Sequence, residues 1–273
     1  APLKSERNVD PQPPDWNAAA YHRVSAPQTE WGMEVLQRLQ LSGEERVLDA
    51  GCGTGKLTRL LAERLPHGQV VALDASKAML AVAERELASL GSRVEFVQAA
   101  LPHLPVRGKL DAILSTATLH WVLDHPAVFR AFLGALRPGG QLEFQCGGDG
   151  NLHLLHSRAA ALAATDAFVD AFADFAQPWC YASVEETADQ LRAAGWTRVH
   201  TWREVRPTQF SDAAAFSEFV SSVNLRPFLA RLDAKRAAQF TASLVAAAGA
   251  DNPPYVLDYV RLNASAWAPG GAG

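Results

Sequence analysis

Three glycines at alternate positions, in Gly51-Cys52-Gly53-Thr54-Gly55, are the residues of this chain whose type and spacing point most directly to ligand chemistry. They follow the apolar run Val47-Leu48-Asp49-Ala50 and lead into Leu57-Thr58-Arg59-Leu60-Leu61-Ala62-Glu63-Arg64-Leu65, where apolar residues recur at helical spacing. A glycine run between a buried parallel strand and a helix lets the backbone turn tightly and approach a ligand closely. The helix N-terminus behind it offers N–H groups and a partial positive charge. This suits a nucleoside-bearing ligand with a carboxylate or phosphate. Asp74 closes the next apolar run, 19 residues after Gly55. A carboxylate at that strand end accepts hydrogen bonds from both ribose hydroxyls. An ordinary helix cap for residues 76–90 is the competing role.

A parallel sheet has to hold these residues. Strands are expected at 46–50, 69–74, 94–98, 110–115 and 141–146, with helices at 30–41, 57–65, 76–90 and 127–136 between them. In open α/β sheets ligands sit beyond the carboxyl ends of the strands, where the strand order reverses. That rule puts Thr116 near the cofactor and His120-Trp121 at the mouth of an acceptor pocket. After Gly150 the character changes. Residues 151–176 are Ala-rich and helical, and Phe168, Phe172 and Phe175 lie at helical spacing, reading as core before substrate wall. Residues 184–194 form a helix stopped by Gly195, 197–206 alternate as a strand, and 259–265 form the last strand. Between those two strands lies a helical insertion, 211–250, long enough to read as a cap.

Bulk numbers narrow the function classes. The chain has 273 residues, 48% hydrophobic, with a formal net charge of -4. No basic stripe argues for nucleic acid. No run of 18 apolar residues argues for a membrane span, and no signal-peptide pattern is evident. Cys52, Cys146 and Cys180 show no metal spacing, so no metal is expected. Their odd count suggests free thiols and a cytoplasmic setting.

The early third glycine separates this turn from the Gly-x-Gly-x-x-Gly of a nicotinamide dehydrogenase. With Asp49 two residues ahead, the turn resembles the first motif of class I S-adenosylmethionine-dependent methyltransferases. Arg137-Pro138-Gly139-Gly140 before a strand is a further hallmark of that class. Trp16-Asn17 with Tyr21, then Leu119-His120-Trp121-Val122-Leu123-Asp124-His125-Pro126, then Leu225-Arg226-Pro227-Phe228-Leu229, are similar to the trans-aconitate methyltransferase group. The resemblance covers roughly residues 15–265.

The resemblance implies an α/β, Rossmann-like fold. It comprises a seven-stranded, mostly parallel sheet with an antiparallel last strand, helices on both faces and helical cap or lid insertions. The expected division is an N-terminal lid, 1–30; a cofactor-binding core, 31–150; a helical cap, 151–195; and the last strands with their inserted lid, 196–273. Cofactor contacts are expected at Asp49, Gly51, Gly53, Gly55, Asp74, Ala75, Met79, Ala100, Leu101 and Thr116. Ala100 departs from the family's usual Asp, which accepts from the adenine amino group.

The implied cofactor is S-adenosyl-L-methionine, with S-adenosyl-L-homocysteine as product. The implied partner is a small-molecule acceptor, with no nucleic acid and no membrane, for a monomer or homodimer. Trp16, Tyr21, Trp121 and Arg226 are expected around the acceptor, with Arg226 gripping a second carboxylate. A carboxylate is ionised near neutrality and needs no base, so O-methylation of a small acid is the leading expectation. The alternatives are a natural-product O- or N-methyltransferase with His120 as base, and a cofactor-binding protein without turnover.

Overall fold

The computed structural model describes residues 26–106 and 108–270. Seven strands form one sheet: β1 (Arg46–Ala50), β2 (Gln69–Asp74), β3 (Val94–Gln98), β4 (Leu110–Thr116), β5 (Leu136–Gly147), β6 (Thr197–Val205) and β9 (Val260–Trp267). Their spatial order is β3-β2-β1-β4-β5-β9-β6. The first five are parallel, and the last strand in the chain runs antiparallel between β5 and β6. Strand order reverses between β1 and β4, which places a crevice beyond their carboxyl ends.

The central strands are continuously apolar because helices cover both faces. On one face Leu48, Val71, Ile113 and Phe144 pack with Phe129 and Phe132 of α4 (His125–Ala135) and Leu191 of α7 (Val184–Ala193). On the other, Val47, Val70 and Ala72 pack under α1 (Ala26–Arg38), α2 (Lys56–Glu63) and α3 (Lys77–Glu86).

The helix expected at 76–90 ends earlier, at Glu86. A 3-10 turn over Ala88–Arg93 follows, and within it Gly91 takes a left-handed φ of 54°. β5 starts at Leu136, five residues before the expectation. Leu136 already pairs with Leu110, and Arg137-Pro138-Gly139-Gly140 is accommodated as an irregularity of the ladder.

Beyond β4 the sheet surface under α1 turns polar. Gln141, Glu143 and Gln145 of β5 alternate with apolar residues, as do Arg261, Asn263 and Ser265 of β9. All six are buried, so they bond one another. Ser265 Oγ donates to Glu143 at 2.7 Å, and Gln141 Nε2 donates to the other Glu143 oxygen at 2.8 Å. Arg38 and Gln145 both donate to Asn263 Oδ1 at 2.9 Å. Arg38 thereby fastens the end of α1 to the sheet.

The inserted segments build a second core. α5 (His153–Ala163), α6 (Val169–Phe172), α8 (Ala213–Ser222), α9 (Arg226–Leu229) and α10 (Ala234–Gly249) gather with the ribbon of β7 (Thr208–Gln209) and β8 (Val256–Leu257). Phe168 is buried there, and Phe172 and Phe175 pack against it partly buried. Phe228, 2% exposed, sits at its centre, with ring centroids 4.8 Å from Phe175, 5.8 Å from Phe240 and 6.0 Å from Trp179. Phe228→Ala removes that hub and is expected to cost about 3–5 kcal/mol, read as a lower denaturant midpoint.

Candidate functional site

The three loop glycines do different work. All have left-handed φ: 85° at Gly51, 55° at Gly53 and 83° at Gly55. A Cβ on Gly51 would fall 2.0 Å from Thr118 Oγ1, so a side chain there would break the approach of β1 to the segment after β4. A Cβ on Gly55 would fall 2.8 Å from Leu87 Cδ1. A Cβ on Gly53 would meet no atom within 4 Å, and this glycine opens on the cavity. Gly51 and Cys52 donate their N–H groups to the Leu73 carbonyl, tying the loop to the end of β2.

Asp74 completes that tie. Its Oδ2 accepts the Gly53 N–H and its Oδ1 the Ser76 N–H, both at 2.8 Å. The cap of α3 is Ser76, whose Oγ accepts from Met79 N–H at 3.1 Å. Asp49 is 1% exposed, accepts from Thr58 Oγ1 at 2.7 Å and does not line the cavity. Burial pushes its pKa up to about 6, Thr58 opposing and the charge of Asp74 assisting.

A cavity of about 240 Å³ lies at the strand-order reversal. Gly51, Gly53, Asp74, Ala75 and Met79 line it, with Ala100, Leu101 and Thr116. Asp49 and Gly55 stand behind this wall and shape it. The left-handed loop, the open face of Gly53 and the carboxylate of Asp74 fit a nucleoside ligand. Ala117 and Leu152, both non-glycine residues with left-handed φ of 53° and 54°, line the cavity too. Such backbone strain collects at functional sites.

His120, Trp121, Asn151, His156, Tyr181 and Arg261 form another part of the lining. Arg261 is 3% exposed. Its Nε donates to Gln145 Oε1 at 3.4 Å, and its guanidinium lies 5.0 Å from the Trp31 ring centroid. His120 Nδ1 accepts the Gly147 N–H at 3.2 Å, so the proton of the neutral ring sits on Nε2 and that nitrogen donates. Burial, then the charges of Arg261, His125 and His156, push its pKa well below the usual value. A ring with its lone pair engaged and its charged form disfavoured is a poor base, which favours a positioning role for His120 over the alternative in which it takes a proton. His156 stacks on Trp179 at 4.3 Å, and burial pulls its pKa down to about 4.

Arg226 does not line the cavity. The helical turn buries Leu225 and Phe228 in the cap core and brings Asn224 to the cavity wall, leaving Arg226 between them. Trp16 and Tyr21 lie outside the described residues. The cation that does line the cavity, Arg261, escaped the sequence reading. Its signal was a charged residue alternating with apolar ones inside the last strand, but its burial depends on α1. His156, Tyr181 and Asn151 carried no motif. Among the described residues no His, Cys, Asp and Glu group could hold a metal, and no helix is long and apolar enough to cross a membrane.

The folded chain holds the Asp49 proton more tightly (pKa about 6) than the unfolded chain (3.8). This group's contribution to stability therefore falls as pH rises between those values. Asp49→Asn keeps an acceptor for Thr58 and is expected to remove a loss on the order of 3 kcal/mol across that window. Denaturant unfolding of both proteins at pH 4 and pH 7 measures it.

Comparisons with known proteins agree with this geometry. A family model of the methyltransferase domain matches residues 47–140. The trans-aconitate 2-methyltransferase of Methylobacterium radiotolerans is 34% identical over 88% of this chain and 91% of its own. That of Variovorax paradoxus is 34% identical over 84% and 86%. Among solved structures, phosphoethanolamine N-methyltransferase 2 of Haemonchus contortus, in complex with phosphomonomethylethanolamine and S-adenosylhomocysteine, superposes with a TM-score of 0.60 at 17% identity. That match covers 92% of this chain and 57% of that enzyme. The YcgJ protein of Bacillus subtilis gives 0.60 at 16% identity, over 89% and 99%.

Proposed function

We propose, for a chain that belongs to the class I S-adenosylmethionine-dependent methyltransferases and within them to the trans-aconitate methyltransferase group, that the acceptor is an organic acid methylated on a carboxylate oxygen. One observation carries the reading: the buried guanidinium of Arg261 shares a cavity with the glycine loop and Asp74.

When bound, S-adenosylmethionine supplies a methyl on a cationic sulfur, which a carboxylate oxygen displaces to give the ester and S-adenosylhomocysteine. In this reading Asp74 holds the ribose hydroxyls while its bonds to Gly53 and Ser76 keep the loop in place. Met79, Ala100 and Leu101 flank the adenine, and Thr116 stands by the methionine part. Arg261 grips a carboxylate of the acceptor and orients it. His120, neutral and donating from Nε2, adds a hydrogen bond to an acceptor oxygen. Trp121 helps keep water out. The rate then comes chiefly from holding two reactants in line, which supplies up to about 7–11 kcal/mol. No proton has to be removed, which accords with a site whose histidines are both held neutral.

Incubation with S-adenosylmethionine and a panel of organic acids, trans-aconitate among them, is expected to yield a methyl ester of at least one by mass spectrometry. Arg261→Met should raise the acceptor KM by about 10–100-fold, the weight of a charged hydrogen-bonded contact. Calorimetric affinity for S-adenosylhomocysteine should stay as in the parent protein. An unchanged acceptor KM would remove Arg261 from this role. Because the acceptor is ionised throughout, kcat is expected to stay level from about pH 7 to 9. A rise across that range would instead indicate a titrating base.

A further inference from the structure

The cavity has a neighbour. An open cleft of about 850 Å³ lies between α5, α6 and the segment before Tyr181, and Asn151, His156 and Tyr181 line both spaces. These three residues form a partition with the cavity on one side and the cleft on the other. They are held in register. Asn151 Oδ1 accepts the Val260 N–H at 2.9 Å, and the His156 and Tyr181 rings lie nearly parallel, 8° apart at 5.9 Å. A Cβ on Gly147 would strike Tyr181 at 2.6 Å.

Past the partition the cleft is lined by rings together with Asp149, His153, Ser157 and Gln177. Phe172, Phe175, Trp179 and Phe228 line it, and Val169, 48% exposed, lies along it as well. A second carboxylate reaching into this space would meet the Asp149 carboxylate and, among the described residues, no arginine or lysine. A flat apolar group would find rings. The cavity itself, about 240 Å³, is smaller than the ~300–1,000 Å³ usual for ligand sites, yet both cofactor and acceptor must react there.

Resting on the carboxylate reading above, we infer that the acceptor is a monocarboxylic acid with an uncharged apolar or aromatic tail. Its carboxylate reaches Arg261, and its tail passes Asn151, His156 and Tyr181 into the aromatic cleft. The group that reacts and the group that confers specificity then lie on opposite sides of the partition.

Two matched probes separate the possibilities: butyrate and 4-phenylbutyrate, titrated calorimetrically into the full chain saturated with S-adenosylhomocysteine. The phenyl group is expected to tighten binding at least tenfold, as burial of an aromatic ring predicts. With S-adenosylmethionine, kcat/KM should rise by a similar factor. Ala160→Trp, at an exposed helical position on the cleft, and Val169→Asp, which adds a charge along it, should each bring the two acids to within about threefold of each other. Equal binding and turnover of the two acids by the parent protein, or a preference for the phenyl acid that survives both substitutions, would overturn the tail assignment. Methylation of trans-aconitate would in those cases leave the carboxylate reading standing. Failure to methylate any acid, with S-adenosylhomocysteine still bound, would overturn both.

Discussion

The carboxylate of Asp74 is the constraint on which the site depends. It closes β2 and accepts from Gly53 in the loop after β1 and from Ser76 at the head of α3. One side chain thus locks two crossover connections to each other. The loop could not take this path with side chains at Gly51 or Gly55, where contacts with Thr118 and Leu87 close the space. A flexible glycine segment loses much conformational entropy on ordering. Two charge-assisted hydrogen bonds accepted by one half-buried carboxylate at a strand end help offset that loss.

A second set of constraints fixes the far side of the cavity. Sheets of this type bury apolar faces, yet β5 and β9 carry six buried polar side chains under α1. Buried polar groups persist where partners satisfy them, and here the strands supply partners for one another. The ladder reaches Arg261 through Gln145, so the cation at the cavity is supported from inside the sheet. A buried guanidinium without such support would be strongly destabilising. Trp31 of α1 packs on Tyr259 at 5.0 Å and joins this layer to the cap core.

The two parts of the cavity wall differ chemically. The loop side presents small residues, backbone and one carboxylate. The opposite side presents rings, amides, two neutral histidines and a guanidinium. Desolvation sets these charge states: it disfavours charged imidazoles, while an arginine keeps its proton under nearly any conditions. That side thus retains, among the described residues, one guanidinium in dry surroundings, where an anion is held most firmly.

What the sequence determined by itself was local. The alternate glycines, the apolar runs ending in Asp49 and Asp74, and Arg137-Pro138-Gly139-Gly140 carry their conformation in their own residue types, so the parallel core and its loop could be read directly. Only the tertiary structure decided which polar residues meet across distance. Arg261 became a cavity residue because α1 covers β9, whereas Arg226, which has the clearer motif, does not line the cavity. The Nδ1 lone pair of His120 is engaged by a backbone N–H of β5. The partition of Asn151, His156 and Tyr181 joins a helix start, a helix and a loop. Such contacts come from packing between distant segments, and spacing along one chain does not encode them.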